Sequence, residues 1–534
     1  MRVLSAFPEA MPVSNSCPPA CLAPLALSLA LSLHLSLSSQ AGDRRPLPVD
    51  RAAGLKEKTL ILLDVSTKNP VRTVNENFLS LQLDPSIIHD GWLDFLSSKR
   101  LVTLARGLSP AFLRFGGKRT DFLQFQNLRN PAKSRGGPGP DYYLKNYEDD
   151  IVRSDVALDK QKGCKIAQHP DVMLELQREK AAQMHLVLLK EQFSNTYSNL
   201  ILTEPNNYRT VHGRAVNGSQ LGQDYIQLKR LLQPLRIYSR ASLYGPNIGR
   251  PRKNVIALLD GFMKVAGSTV DAVTWQHCYI DGRVVKVMDF LKTRLLDTLS
   301  DQIRKIQKVV NTYTPGKKIW LEGVVTTTAG GTNNLSDSFA AGFLWLNTLG
   351  MLANQGIDVV IRHSFFDHGY NHLVDQNFNP LPDYWLSLLY KRLIGPKVLA
   401  VHVAGLQRKP RPGRVIRDKL RIYAHCTSHH NHNYVRGSIT LFIINLHRSR
   451  KKIKLAGTLR DKLVHQYLLQ PYGQDGLKSK SVQLNGQPLV MVDDGTLPEL
   501  KPRPLRAGRT LVIPPVTMGF YVVKNVNALA CRYR

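Results

Sequence analysis

The chain has 534 residues, of which 43% are hydrophobic and 21% are charged. These proportions exclude a disordered chain and are typical of a globular protein, here long enough for a barrel and one further domain. The net charge of +32 at pH 7 indicates a polyanionic partner, such as nucleic acid, an anionic membrane or a sulfated polysaccharide.

The amino terminus helps to choose among these partners. Ala20 to Ser38 consists mainly of Leu, Ala and Ser without Lys, Arg, Asp or Glu, and the small-residue segment Ser39 to Ala41 follows. The pattern predicts a cleavable secretory signal over residues 1–41, with a membrane anchor as the alternative. We therefore expect a secreted protein without stable membrane insertion and without a nucleic-acid partner. Secretion would make Asn217 and Asn334 glycosylation sites, because each begins an Asn-X-Ser sequon.

Four cysteines remain after removal of the signal: Cys164, Cys278, Cys426 and Cys531. Cys426 and Cys531 both lie in the C-terminal region and are predicted to form a disulfide. No CxxC or HExxH pattern occurs, so neither a metal site nor a cofactor is predicted. The histidines at 429, 430 and 432 could bind a metal, but we interpret them as part of an exposed polar loop.

Apolar runs and helical stretches alternate along the first three quarters of the chain. Ala111 to Phe115 is predicted to be a strand, and the spacing of apolar residues predicts a helix over Val172 to Asn195. The alternation predicts an α/β fold with a (β/α)8 barrel over residues 78–395. Short strands separated by turns then predict a β-sandwich over 396–534, to which residues 42–77 contribute.

Two glutamates stand at the ends of predicted barrel strands. The segment from Lys317 to Gly331 begins with basic residues, continues as an apolar run that contains Glu322, and ends in a stretch rich in Gly and Thr. Ile201 to Asn207 is a second apolar run, which ends at Glu204. A carboxylate pair at the mouth of a barrel is the arrangement that glycosidases use.

Several segments resemble the heparanase family of secreted endo-β-glucuronidases, which cut heparan sulfate. They extend over most of the chain and are Gly107 to Gly117, Asn217 to Gly222, Phe339 to Phe343, His372 to Asp375, Leu381 to Leu389 and Lys478 to Gly486. In detail the chain is most similar to the member of the family regarded as non-cleaving. The resemblance implies a (β/α)8 barrel with a small β-sandwich and a retaining mechanism that uses two glutamates.

The resemblance places the acid/base of the family at Glu204, with Thr203 where the family has Asn. The family's Trp-Leu-Gly-Glu reads Trp-Leu-Glu-Gly here, so Gly323 occupies the nucleophile position. Strand alternation then predicts that Glu322 points away from the cleft, and no catalytic residue is expected to function. The alternative is a β-bulge that re-aims Glu322 and leaves an active endo-β-glucuronidase.

The segment before Glu204 is also shorter than in the family. On the order of sixty residues are missing, or about two barrel units at roughly thirty residues each. We expect an incomplete barrel, with a substitute strand over Asn199 to Thr203 as one alternative and a misfolded, retained protein as another.

The predicted partners are heparan sulfate, heparin and proteoglycans, with active heparanase as a further candidate. The remaining predicted site residues are those expected to bind these polysaccharides. The protein would act in the extracellular space and matrix. The resemblance implies polysaccharide contacts at Asp84, Lys190, Arg250, Arg252, Lys253, Arg283, Gly369 and Asn371. Dense basic runs add Arg408, Lys409, Arg450, Lys451 and Lys452.

Overall fold

The computed structural model describes residues 60–84, 97–116, 184–187, 215–234, 241–281, 286–328, 330–366, 369–404 and 419–533. These residues belong to one compact unit, Thr59–Arg534. Several positions singled out in the sequence lie outside the described residues: the segment 1–41, Cys164, Lys190, Asn199 to Glu204, Arg283, Arg408 and Lys409.

The helices of the described residues are α1 (Lys99–Gly107), α2 (Gly218–Leu232), α3 (Lys253–Ala266), α4 (Thr293–Tyr313), α5 (Ala341–Asn354) and α6 (Pro382–Leu393). No helix in these stretches is long and apolar enough to span a bilayer. The strands are β1 (Leu60–Val65), β2 (Arg72–Thr73), β3 (Leu79–Leu83), β4 (Ala111–Phe115), β5 (Met184–Val187), β6 (Tyr244–Ile248), β7 (Ala272–Ile280), β8 (Lys318–Thr327), β9 (Val359–Arg362), β10 (Ile394–Leu399), β11 (Val401–Ala404), β12 (Leu420–Thr427), β13 (Ile439–Asn445), β14 (Lys451–Leu455), β15 (Val464–Pro471), β16 (Val482–Leu484), β17 (Gln487–Pro488), β18 (Arg503–Leu505), β19 (Leu511–Ile513) and β20 (Thr517–Val523).

Seven strands form a parallel sheet in the order β5-β4-β3-β9-β8-β7-β6. The sheet curls, because the Trp320 ring on β8 stacks on Phe112 of β4 at 5.2 Å and on Tyr244 of β6 at 4.2 Å, and neither strand is its neighbour. These three rings therefore mark the inside of a barrel.

The barrel is incomplete, as the sequence predicts. β5 and β6 stand at the two ends of the strand order, and no ladder joins them in the described part of the chain. The helix predicted over Val172 to Asn195 is wrong at Met184–Val187, which is the strand that pairs with β4. A four-residue strand is too short to show a period of two, so the helical spacing around it misled the prediction.

Helices cover the outside of the barrel with one apolar face each. On α3 the buried residues Val255, Leu259, Phe262, Met263 and Ala266 recur at helical spacing. α5 is buried along almost its whole length, because it lies between the barrel and an antiparallel sheet.

That antiparallel sheet has nine strands. A smaller mixed sheet has four, in the order β11-β1-β14-β19, in which β1 and β14 are parallel. Leu441 and Val523 of the larger sheet share a core with Ile61 and Ile453 of the smaller one, as in a β-sandwich. Cys426 on β12 and Cys531, the pair expected to be bonded, form a disulfide with a Cα–Cα distance of 5.3 Å. Cys278 forms no disulfide among the described residues.

Candidate functional site

A β-bulge at Gly323 interrupts strand β8 at the mouth of the barrel. Glu322 pairs with Ile361 of β9 and Val324 with the next residue, Arg362, so that Gly323 is the extra residue. The same shift occurs against β7. Gly323 has φ +82°, a backbone conformation that suits glycine, and a glycine in a strand interior often marks a bulge.

Glu322 points into the barrel, and the prediction that it points away is wrong. It lies two residues from Trp320 on the same strand face, and its Oε2 is 3.9 Å from Nε of Arg114 on β4. Its side chain is fully buried, and besides Arg114 the side chain of Thr274 on β7 interacts with its carboxyl. The bulge explains the error, because it places two successive positions on the inner side of the sheet where simple alternation would place one.

The electrostatics of this position keep the carboxyl partly neutral. Burial raises the pKa of Glu322 to about 7, and the nearby Arg114 guanidinium opposes that rise. The buried hydroxyl of Tyr225 also has a raised pKa, from burial and from the charge of Glu322. The carboxyl is fully enclosed and has no contact with solvent.

Arg114 and Gln82 lie beside the bulge and were not singled out in the sequence. Nη1 of Arg114 donates to Oε1 of Gln82 at 2.8 Å, and Nε2 of Gln82 donates to the carbonyl of Gly116 at 2.6 Å. A Cβ at position 323 would lie 3.6 Å from Oε1 of Gln82 and 3.7 Å from Nη1 of Arg114. A side chain at 323 would therefore project onto this polar pair. The charged residue inside an apolar strand was the available signal for Arg114.

Three of the predicted contact residues lie at the same end of the barrel. Asp84 follows β3 directly and is buried, and Gly369 lies half-buried in the loop after β9. Asn371 is buried and bonded on both sides of its amide, to Oγ1 of Thr326 at 3.0 Å and to the carbonyl of Thr327 at 2.9 Å. Its amide is thus occupied in holding the end of β8.

Arg250, Arg252 and Lys253 form an exposed basic group at the junction of β6 and α3. The junction lies at the carboxyl end of a barrel strand, and Arg252 is the N-cap residue of α3 without a capping side-chain bond. The positive charge of Arg250 also reaches His277 and, together with burial, lowers the pKa of that imidazole to about 3, with burial the larger cause. All three cations thus lie at the end of the barrel where parallel strands have their carboxyl ends.

Arg450, Lys451 and Lys452 lie elsewhere, at the start of β14 in the four-stranded sheet. Arg450 and Lys452 are exposed, whereas Ile453 and Leu455 of the same strand face the sandwich core. The two basic groups therefore lie on different elements of the fold.

The sequon residues Asn217 and Asn334 are both exposed, and Asn217 caps α2 by accepting from the amide of Ser219.

The fold defines the class of protein. A 4-O-α-L-rhamnosyl-β-D-glucuronidase from Fusarium oxysporum is similar over 86% of this chain and all of its own, with a TM-score of 0.56 at 11% identity. A GH51 arabinofuranosidase from Xanthomonas axonopodis is similar over 87% of this chain, with a TM-score of 0.53 at 10% identity. At this identity the likeness shows the fold alone, which is that of barrel glycoside hydrolases with an added β-domain.

Sequence comparison is more specific. The chain is 88% identical to the human protein "Inactive heparanase-2" over the full length of both, and 40% identical to mouse heparanase over 88% of this chain and 94% of that one. No protein-family model matches the chain. The chain belongs to the heparanase family.

This chain is also shorter than its alignment with the human relative. That alignment spans 592 positions, whereas the chain has 534 residues, so 58 positions of the alignment are gaps in this chain. About two barrel units of roughly thirty residues would have this length. The shortfall agrees with an open barrel, although seven parallel strands are described where a loss of two units predicts six.

Proposed function

We propose that this protein is a secreted, non-catalytic member of its family that binds heparan sulfate and heparin and competes with active heparanase for them. The observation that carries the proposal is the state of β8 at the barrel mouth. There β8 has Gly323, which has no side chain, at the bulge, and the carboxyl of Glu322, the one acidic residue of the strand, is fully buried.

Absence of cleavage follows from the needs of the reaction. A retaining glycosidase holds two carboxyl groups about 5 to 5.5 Å apart, one of which attacks the sugar. Gly323 supplies no nucleophile, and Glu322 lies in the barrel interior against Arg114. The name of the human relative, "Inactive heparanase-2", supports the same conclusion for this chain.

Binding is supported by charge and position. Arg250, Arg252 and Lys253 are exposed where a barrel presents its loops to a ligand. A guanidinium is planar and donates two parallel hydrogen bonds, which suits a sulfate group. The net charge of +32 would strengthen the attraction of a polyanion to the whole surface.

Competition would follow from binding without turnover, because a chain held by this protein is unavailable to an active enzyme. Adding the purified protein to a heparanase reaction should slow the shortening of heparan sulfate. The inhibition should weaken as more heparan sulfate is added, since the two proteins compete for one substrate.

The binding experiment is elution from heparin in a salt gradient, after expression in secreting cells. The triple variant Arg250→Ser/Arg252→Ser/Lys253→Ser should elute at lower salt than the parent chain. The matched control removes the same charge at the exposed helix residues Lys264, Lys305 and Lys308. If the salt concentration at elution falls equally in both variants, the protein is held by general charge attraction and has no binding site at the mouth. If the parent chain stays inside the cells, the proposed secretion is wrong.

A further inference from the structure

A glutamate and two histidines meet at the end of the barrel opposite the mouth. Glu76 precedes β3, and His429 and His430 follow β12. Nε2 of His429 lies 3.8 Å from Oε1 of Glu76, and Nε2 of His430 lies 3.8 Å from Oε2 of the same carboxylate. Their ligand atoms all lie within 4.8 Å of one another, and the two imidazole centroids are 3.9 Å apart.

The fold brings these residues together although they are distant in sequence. β10 pairs with β2 on one side and with β12 on the other, so the loop after β2 and the turn after β12 leave the same sheet side by side. This pairing places an acidic side chain from the entrance to the barrel beside the histidines of the larger antiparallel sheet.

Both loops are held by hydrogen bonds. The amide of Asn77 donates to Oδ1 of Asn75 at 2.8 Å, and the amide of Asn75 donates to the carbonyl of Asp358. On the histidine side, the amide of Ser428 donates to the carbonyl of Leu393, and Nδ2 of Asn431 donates to the carbonyl of Arg392 at 3.0 Å. The three ligand groups therefore extend from fixed backbone, which reduces the entropy lost when they converge on an ion.

The donor set selects a class of metal. Two imidazoles and one carboxylate suit zinc and related transition ions, whereas calcium and magnesium prefer oxygen ligands alone. Two ligands of a tetrahedral zinc ion at about 2.0 to 2.1 Å lie roughly 3.3 Å apart. Each nitrogen-to-oxygen distance of 3.8 Å would thus shorten by about half an ångström, which is within the reach of side-chain adjustment.

The surroundings leave a place for a water ligand. The cluster borders a cavity of about 40 Å³, also lined by Tyr390 and Lys391, which is large enough for a water molecule. The buried hydroxyl of Tyr390 has no hydrogen-bond partner among the described residues. Burial lowers the pKa of Lys391 to about 7, and its Nζ donates to the carbonyl of Pro110, which also lines the cavity.

We propose that Glu76, His429 and His430 form a zinc site that links the loop entering the barrel to the larger antiparallel sheet. His429 and His430 are 19% and 46% exposed and Glu76 is 50% exposed, so the ion would exchange with solvent. The site uses three protein ligands, with water at the fourth position.

The test is titration of the metal-free full-length protein with Co²⁺, followed by displacement with Zn²⁺. One equivalent of Co²⁺ should give a visible absorption band, which zinc should remove. The variants Glu76→Gln, His429→Ala and His430→Ala should each weaken zinc binding by about tenfold or more. His432→Ala is the matched control, because His432 is an exposed histidine of the same loop outside the cluster, and its affinity should equal that of the parent chain.

A second readout separates loss of binding from loss of folding. Zinc should raise the thermal midpoint of the parent chain and of His432→Ala, but not that of the double variant His429→Ala/His430→Ala, whose midpoint without zinc should match the parent. A double variant that binds zinc as tightly as the parent would overturn the proposal. So would the absence of a cobalt band in the parent chain.

Discussion

Arg114 and Glu322 face each other inside the barrel, with Nε and Oε2 3.9 Å apart, although two strands separate β4 from β8 in the sheet. Both side chains are almost fully buried, at 2% and 0% exposure. The separation is at the limit of an ion pair, and neither Arg114 nor the side chain of Thr274 offsets the cost of burying the carboxylate. The pair therefore occupies the barrel interior at an energetic cost when the carboxyl is charged.

Glu322→Gln should remove this cost. The folded pKa of Glu322 is raised from 4.5 to about 7, so the folded state binds the extra proton and stability falls as pH rises from 4.5 through 7. The difference corresponds to about 3 kcal/mol. Parent and variant should unfold alike at pH 4.5, and the variant should be more stable by about that amount at pH 8, as measured by urea unfolding.

The exposed glutamate Glu499 supplies the control for that comparison. Its side chain is 77% exposed, and Glu499→Gln removes the same charge from the surface. Its urea midpoints should follow those of the parent chain at each pH. A Glu322→Gln variant whose advantage does not grow with pH would show that the carboxyl is solvated in solution.

Gly323→Ala should destabilise the protein by about 1 to 2 kcal/mol, because an L-residue at φ +82° is strained. A Cβ there meets its nearest atom at 3.6 Å, which is ordinary contact, so packing should add little. Gly316→Ala is the control, with φ +80° and no atom near its Cβ. Similar losses at both positions are expected in urea unfolding, and a much larger loss at 323 would mean that the bulge has no room for a side chain.

Removal of the disulfide should weaken the β-sandwich. Cys426 and Cys531 enclose a loop with a sequence separation of 105, for which chain entropy predicts a loss of about 4 to 5 kcal/mol in the double variant to serine. Unfolding of the parent chain with and without reductant gives an independent measure. An unchanged midpoint in both experiments would contradict the bond.

Arg362 and Asp383 form a second buried pair, 3.0 Å apart. The pair lies on the helix side of the barrel, because the Arg362 guanidinium lies over the Trp345 ring of α5 and Asp383 belongs to α6. Arg362→Met should cost about 3 to 5 kcal/mol, because it leaves Asp383 buried without its cation. The double variant Arg362→Met/Asp383→Leu should recover part of the lost unfolding free energy. Urea unfolding of the three chains measures the recovery, and equal stability of single and double variants would exclude an interaction between the two charges.

Much of the fold follows from sequence pattern, and the failures have particular causes. A strand is predicted within Lys317 to Gly331, and the observed one is Lys318–Thr327, because an apolar run with a basic start and a glycine-rich exit is distinctive. The side of the sheet on which Glu322 lies is not predicted correctly, since strand alternation carries no information about a bulge. Gly323 inside the strand was the one local indication.

The zinc ligands illustrate a different limit. The loop histidines form a recognisable cluster in the sequence, but nothing in the sequence predicts that Glu76 lies close to them. Only the pairing of β10 with both β2 and β12 brings the three together, and such long-range pairing cannot be deduced from local propensity.

The proposed function requires that the protein hold heparan sulfate without cutting it. Labelled heparan sulfate of defined length can be incubated with equimolar protein and passed through a size-exclusion column at low salt and again at high salt. We expect a larger complex at low salt and release of chains of the original length at high salt. Shortened chains, or no complex at low salt, would contradict the account.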